Sequence, residues 1–457
     1  MPDSRIPLAT DIAIVGAGGC GLVAALVAAE HDAHVIIVEK ENQAGGNTAM
    51  SAGLTIAAGS RLQRAAGETG TPAELAADIW NANGATSNRA VTLALCRASG
   101  PTMDWMLDHG VPLEMMAGYR YPGHSRYWLH ATRERHGKPI VGALLAAVAR
   151  QPKIQLRLST PATGILVDDV GAVVGITAQT ESGEPLSIQA RQVILAADGF
   201  GANHQMVARF IPSFTQAMYY GAPGCTGDAI NWGMQLGAAT AFMDSFQPHS
   251  SIAYPERIFV TTYIVNNGGI QVNRLGKRFS DETRGYAEHA LAVQQQPDRV
   301  VYEIFDGRIR QAAEAGYARF YECADAGVIR SANSLAELAT KLDIHVATLE
   351  ETVAQYNASI EKGGDEFGRT SFGKPLAPPY YAIPVTSALF HTQGGLVIDE
   401  RARVLRADGS VIPNLYAGGG TAAGFAGNGC GGYLGGIGLL SAFALGKISG
   451  EQAAQGI

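Results

Sequence analysis

The chain has 457 residues and a formal net charge of -7, with 34 basic and 41 acidic side chains. That balance carries no basic footprint for DNA or RNA, and 56 glycines with only 16% charged residues fit a chain that embraces a cofactor better than a disordered one. The five cysteines, Cys20, Cys96, Cys225, Cys323 and Cys430, are scattered without a CxxC pair or a haem-attachment pattern. A reduced cytoplasmic protein with no metal site is the simpler expectation.

The first predicted element is a strand, Asp11 to Val15, which meets Gly16, Gly18, Gly19 and Gly21. An alanine-rich helix, Leu22 to Glu30, follows, and a second apolar strand, Val35 to Val38, ends on Glu39 and Lys40. This order is a dinucleotide-binding βαβ unit: one glycine makes the tight turn, one lets the backbone approach a pyrophosphate, one lets the helix pack on the strand, and the acid is left for a ribose hydroxyl. Gly45, Gly46, Asn47, Thr48, Ser51 and Gly53 come next, small polar residues that suit backbone contact with a flavin. They point to FAD rather than NAD. So does a second glycine-rich segment near the C-terminus, from Tyr416 through Gly419 and Gly420 to Gly435, Gly436 and Ile437. A final helix from about Gly436 to Ser449 would direct its N-terminus at the isoalloxazine, where the helix dipole stabilises negative charge.

Between these ends comes a helical region to about Leu107, then an aromatic loop with Tyr119, Tyr121, Tyr127 and Trp128, which either covers a substrate or plugs a domain interface. A strand-rich stretch from Ile154 to Ile194 predicts a β-meander that ends in Ala197 and Asp198, back at the cofactor. Leu338, Leu342, Val346, Leu349, Val353 and Tyr356 have helical spacing and predict a helical insertion, and Pro375, Pro378, Pro379 and Pro384 punctuate the return. The predicted class is α/β: a Rossmann-like FAD-binding domain built from both chain ends (residues 1–244 and 369–457) with an inserted α+β capping domain (245–368). No charged region precedes a cleavable apolar segment, so no secretory signal is expected, and Leu434 to Leu445 is shorter than the ~20 residues of a membrane span.

Taken together, Gly16-Ala17-Gly18-Gly19-Cys20-Gly21, Gly45-Gly46-Asn47-Thr48, Gly227-Asp228, Gly276-Lys277-Arg278-Phe279 through Glu282, the LEETVAQYN helix from Leu349 to Asn357, His391-Thr392-Gln393-Gly394-Gly395 and the closing glycine-rich run resemble the flavoprotein family of soluble fumarate reductases, succinate-type dehydrogenases and 3-ketosteroid dehydrogenases. The resemblance covers nearly the whole chain. It implies a mobile capping domain, substrate held against the flavin, and either reduction of an activated C=C bond or the reverse desaturation. Asp228 and Gly395 join the cofactor-binding residues on this ground. No histidine stands at Thr48 for a covalent linkage, so noncovalent FAD is expected.

In fumarate reductases of this family, two histidines and an arginine grip carboxylates and a second arginine delivers the proton. His249 and His391 fall at the histidine positions, but Tyr286 and Tyr433 stand where the arginines would be. Thr262 and Val265 replace the relay's Glu and Arg. A guanidinium binds a carboxylate bidentately at any working pH, which a phenol of pKa ~10 cannot do. The resemblance therefore turns to the ketosteroid-dehydrogenase branch and to a cyclic ketone, either a steroid or a small ring such as cyclohexanone or 4-oxocyclohexanecarboxylate. There Tyr286 abstracts the α proton, Tyr433 with the Gly436 amide holds the ketone oxygen, and an external acceptor (oxygen, a quinone or another carrier) takes the electrons. Arg284 and His289 are candidates to assist Tyr286, and Arg126 and Arg284 to meet a substrate carboxylate. His249 and His391 either orient polar groups or are structural. The alternative is a fumarate, urocanate or enoate reductase using Arg284 as its acid, and a third reading is a flavin-bearing sensor without turnover.

Overall fold

The computed structural model describes residues 8–118, 120–316 and 320–457. Two compact units emerge. The first takes everything described up to Pro212, then Gly221–Phe246 and His391–Ile457; the second takes Ser213–Tyr220 and Gln247–Phe390.

In the first unit, Leu8–Val15 runs parallel to Val35–Val38 on one side and Pro185–Leu195 on the other. Ile154–Arg157 extends the sheet beyond the former, and Val411–Ala417 beyond the latter. Parallel strands are buried on both faces, and Ile12, Ala13 and Ile14 are each 0% exposed. Gly16 leaves the sheet at φ 102, where a Cβ would sit 2.4 Å from the Ala196 carbonyl oxygen. Only glycine has both that conformation and that clearance. The predicted meander is shorter than expected, since only Ala162–Val167, Val173–Gln179 and Pro185–Leu195 form it. Ile154–Arg157 instead completes the parallel sheet, where the fully buried strand Val35–Val38 needs a partner on its outer edge.

The closing helix spans Ile437–Gln455 and packs on the first helix, Gly19–Glu30. It runs past the predicted end at Ser449 because Gly450 is a packing residue, not a stop: a Cβ there would lie 2.5 Å from the Ala24 carbonyl oxygen. Gly446 meets Cys20 in the same way, at 2.6 Å.

The second unit is a mixed sheet in the order Ile258–Phe259, Phe246–Ala253, Tyr380–Thr392, Val301–Asp306, Ile270–Asn273, with Met218–Tyr219 and Arg330–Ala332 also on Tyr380–Thr392. The long strand Tyr380–Thr392 is its spine, so the first unit resumes at His391 rather than at 369. Pro384 lies inside that strand and not in a connecting loop. The predicted helical insertion is two helices, Leu335–Leu342 and Val346–Lys362, because Asp343 takes a left-handed φ of 56 and ends the first. Arg369, 0% exposed, bonds the carbonyls of Val265 (2.8 Å) and Gly269 (3.0 Å) and the Glu282 carboxylate (2.9 Å). Arg278 grips the same carboxylate and Asp365. Burial raises the Glu282 pKa, but the two guanidiniums outweigh it and hold the carboxyl below its usual range. The charged motif from Gly276 to Glu282 is thus a buried clamp just ahead of the helix Tyr286–Gln294.

Candidate active site

The βαβ turn opens a cleft in the first unit. Of the expected cofactor residues, Gly16, Gly18, Gly19, Glu39, Lys40, Gly46, Asn47, Thr48, Ala197, Asp198, Asp228, Gly419 and Gly420 line it. Gly18 faces open space, with nothing nearer than 3.9 Å to a Cβ placed there, as a pyrophosphate approach requires. Glu39 accepts from the Ala17 amide at 2.8 Å, so the acid braces the glycine turn itself. Lys40 reaches Asp228 at 2.7 Å and Thr226 at 2.6 Å, tying the second strand to the helix Asp228–Gln235. Asn47 donates to Asp198 at 2.9 Å and accepts from the Ala222 amide at 2.7 Å. Gly224, Cys225 and Trp232 also line the cleft; their only sequence signal was proximity to Gly227-Asp228.

The remaining expected residues shape the surroundings. A Cβ on Gly21 would lie 2.0 Å from the Gly16 carbonyl oxygen, so Gly21 lets the first helix pack close. Gly45 adopts φ 124 beside Val141, and Ser51 bonds the Thr48 carbonyl at 2.8 Å and the Gly53 amide at 3.1 Å. Gly395 packs against Thr421 and Ala422.

A second cluster stands at the head of the closing helix, where Gly436 is the N-cap at φ 91 and Ile437 the first helical residue. The Gly438 amide donates to the Tyr433 phenol oxygen at 3.3 Å. Gly436, expected to meet the ketone oxygen beside Tyr433, is the N-cap, and the amide on the Tyr433 oxygen itself is that of Gly438. A Cβ on Gly438 would sit 2.9 Å from that oxygen and 3.5 Å from the His391 ring, so any side chain there would press on the phenol oxygen. Burial pushes the Tyr433 phenol up to about 12, which keeps it protonated at any working pH. Its oxygen accepts from the helix and its O–H remains a donor. The His391 ring meets the Tyr433 ring edge-on at 5.7 Å, and Gln393 contacts His391 Nδ1 at 2.9 Å. Burial lowers the His391 pKa against the opposing pull of Asp198, so the ring is a neutral partner.

The aromatic loop packs on this same turn. Tyr121 lies against Gly435, and His124 Nε2 donates to the Gly435 carbonyl at 3.1 Å. His124 Nδ1 is buried without a partner, and burial lowers its pKa to about 4. Nothing in the sequence had singled His124 out. Trp128 is a core residue, 0% exposed, with its indole N–H on Asp78 at 2.6 Å. Tyr127 carries Arg120 over its ring at 5.5 Å, and Tyr119 lies outside the described residues. Arg126 pairs with Glu74 at 2.7 Å in an exposed ion pair.

In the second unit, Tyr286 opens the helix Tyr286–Gln294 and accepts from Gln247 Nε2 at 2.9 Å. Its ring stacks on His249 at 5.1 Å, and His249 stacks in turn on Phe390 at 5.1 Å with Phe259 at 4.9 Å. The Ser251 amide donates to His249 Nδ1 at 3.1 Å, which places the ring proton on Nε2. Burial drives the His249 pKa to about 3. A neutral imidazole in an aromatic stack can donate one hydrogen bond but offers no charge to a carboxylate. His289 is held by Gln271 at 2.8 Å and Ser280 at 2.7 Å, and Arg284 is exposed. Among the described residues, no group of histidine, cysteine and carboxylate side chains could hold a metal ion, and no helix is long and apolar enough to cross a membrane.

A strand, glycine turn and helix around a cleft of this lining define an FAD-dependent oxidoreductase, and the chain belongs to the FAD binding domain family, matching it over residues 11–438. It is 32% identical to a cytochrome-type fumarate reductase of Shewanella frigidimarina over 97% of this chain and 77% of the relative. A 3-oxosteroid 1-dehydrogenase of Mycobacterium tuberculosis is 27% identical over 90% of this chain and 93% of its own length. Among solved structures, a flavocytochrome c3 fumarate reductase in an open conformation superposes with a TM-score of 0.89 at 28% identity, covering 99% of this chain and 79% of that one.

Proposed function

We propose that the protein desaturates a cyclic ketone between the α and β carbons, with FAD bound noncovalently. The feature that carries this reading is the pair of phenols, Tyr433 and Tyr286, which the sequence resemblance sets at the positions of the fumarate reductases' arginines. Tyr433, protonated and backed by the Gly438 amide, donates to the ketone oxygen and stabilises the developing enolate. Tyr286 takes the α proton. The cleft lined from Gly18 to Gly420 would hold FAD, which would supply the acceptor for the β hydride. The neutral His249 and its aromatic neighbours suit an uncharged ring. Oxygen, a quinone or another carrier would serve as the external electron acceptor.

A second reading is favoured by the names of the relatives, which include fumarate and urocanate reductases. It requires Arg284 as the acid, and that side chain is exposed. Anaerobic titration of the purified holoprotein with cyclohexanone, 4-oxocyclohexanecarboxylate and a 3-ketosteroid separates the two. Bleaching of the flavin by one ketone is the expected result and names the ring class. No bleaching, with dye-reduced enzyme reoxidised by fumarate or urocanate, would establish a C=C reductase.

A further inference from the structure

We infer that Gln247 is a positioning residue that tunes Tyr286 as a base, its side-chain amide favouring the phenolate over the phenol. The inference rests on the desaturase reading and deepens it. A phenol of ordinary pKa ~10 is almost wholly protonated near neutrality and is a poor proton acceptor. A hydrogen bond donated to the charged form lowers the free energy of that form. Gln247 Nε2 makes that contact, 2.9 Å from the Tyr286 oxygen.

The surroundings hold the ring in place for it. Gln247 and His249 are two residues apart on the strand Phe246–Ala253, so both side chains leave the same face. His249 fixes the face of the Tyr286 ring and Gln247 its oxygen. Tyr286 is also the first residue of a nine-residue helix, whose N-terminal amides favour negative charge. Among titratable groups, His249 on the facing strand stacks on its ring and is neutral throughout the working range, and Arg284, Glu288 and His289 lie within three residues of it in sequence. His289 is neutral and occupied by Gln271 and Ser280, and burial raises the Glu288 carboxyl. Gln247 thus supplies to Tyr286 a fixed dipole that does not itself titrate.

The test compares wild-type holoprotein with Gln247→Leu, and with Gln247→Glu in case the apolar variant folds poorly. The first readout is the pH dependence of flavin reduction by whichever ketone of the panel bleaches it. The expected result is that the ascending, acid-side limb moves up by about one pH unit in Gln247→Leu and further in Gln247→Glu, with rates about tenfold lower near neutrality and recovering at high pH. A second readout does not depend on turnover: the phenolate absorbance titration of each protein minus that of its Tyr286→Phe counterpart should shift in the same direction. A rate lowered equally at every pH, with an unmoved phenolate titration, would reduce Gln247 to a packing residue and overturn the proposal. If no ketone bleaches the wild type, the desaturase reading fails, while the difference titration still decides whether Gln247 tunes Tyr286.

Discussion

Tyr433 concentrates its chemistry in one oxygen, which accepts from the helix head and keeps a proton to donate. Replacing Tyr433 by Phe keeps the ring against His391 and removes only the donor. Stopped-flow flavin reduction by the ketone should slow by about 10²- to 10³-fold, with FAD retained. An undiminished rate would remove Tyr433 from the oxyanion role. Glu303 makes a prediction about stability. Its carboxyl is 0% exposed, accepts from Ser251 and, at 2.9 Å, from Gln271, and burial pushes its pKa up to about 7. The folded value lies above the unfolded one, so the stability it contributes is present below the ordinary carboxylate range and is lost as pH rises through neutrality. Glu303→Gln should flatten that loss, worth up to about 3 kcal/mol, when urea unfolding is compared at mildly acidic and mildly alkaline pH. An unchanged pH slope would mean that Glu303 ionises freely. The sequence singled out the two tyrosines because the resemblance gives each a place in a motif. Gln247 and Gly438 were not, since the first meets Tyr286 only across the fold of the second unit and the second is one glycine among many.

Among the elements, the βαβ start could be read directly, because strand, glycine turn and helix are local in sequence and each residue's role follows from its neighbours. The closing helix was found but cut short, since Gly450 has the same identity whether it ends a helix or lets one approach another. Gly446→Val should overpack the contact with Cys20 and cost about 1–3 kcal/mol, seen as a lower melting temperature and faster FAD loss. A melting temperature equal to wild type would show that the two helices can part without penalty. The helix Pro72–Asn83 was expected only as part of an alanine-rich region, yet it organises both loops near Tyr433. Its Asp78 holds Ser125 and Trp128, and its Asn83 bonds the Phe425 carbonyl at 2.7 Å. Partners so distant in sequence leave no periodic trace. The same limit hid the pairing of Ile154–Arg157, whose four residues suit a meander as well as a parallel edge.

For the molecule as a whole, the first unit encloses the FAD cleft, so cofactor and fold are thermodynamically linked. A ligand at 1,000 times its dissociation constant stabilises the folded state by about 4 kcal/mol. Stripping FAD should lower the melting temperature and bring the earliest proteolytic cuts into the first unit, and added FAD should reverse both. A melting temperature indifferent to FAD would mean that the cleft is held open by protein contacts alone. The bipartite plan was legible because glycine-rich segments at both ends demanded a common ligand. Its boundary was not, because a strand long enough to carry the second sheet includes prolines that elsewhere mark loops. The three-part composition of the first unit also bears on how the protein is made. Residues 193–195 of the strand Pro185–Leu195 hydrogen-bond to Leu415, Tyr416 and Ala417. During synthesis at about 5–20 residues per second, that hydrogen-bonding edge waits while the entire second unit is translated, and the flavin fold closes only after Val411–Ala417 and the helix Ile437–Gln455 have left the ribosome.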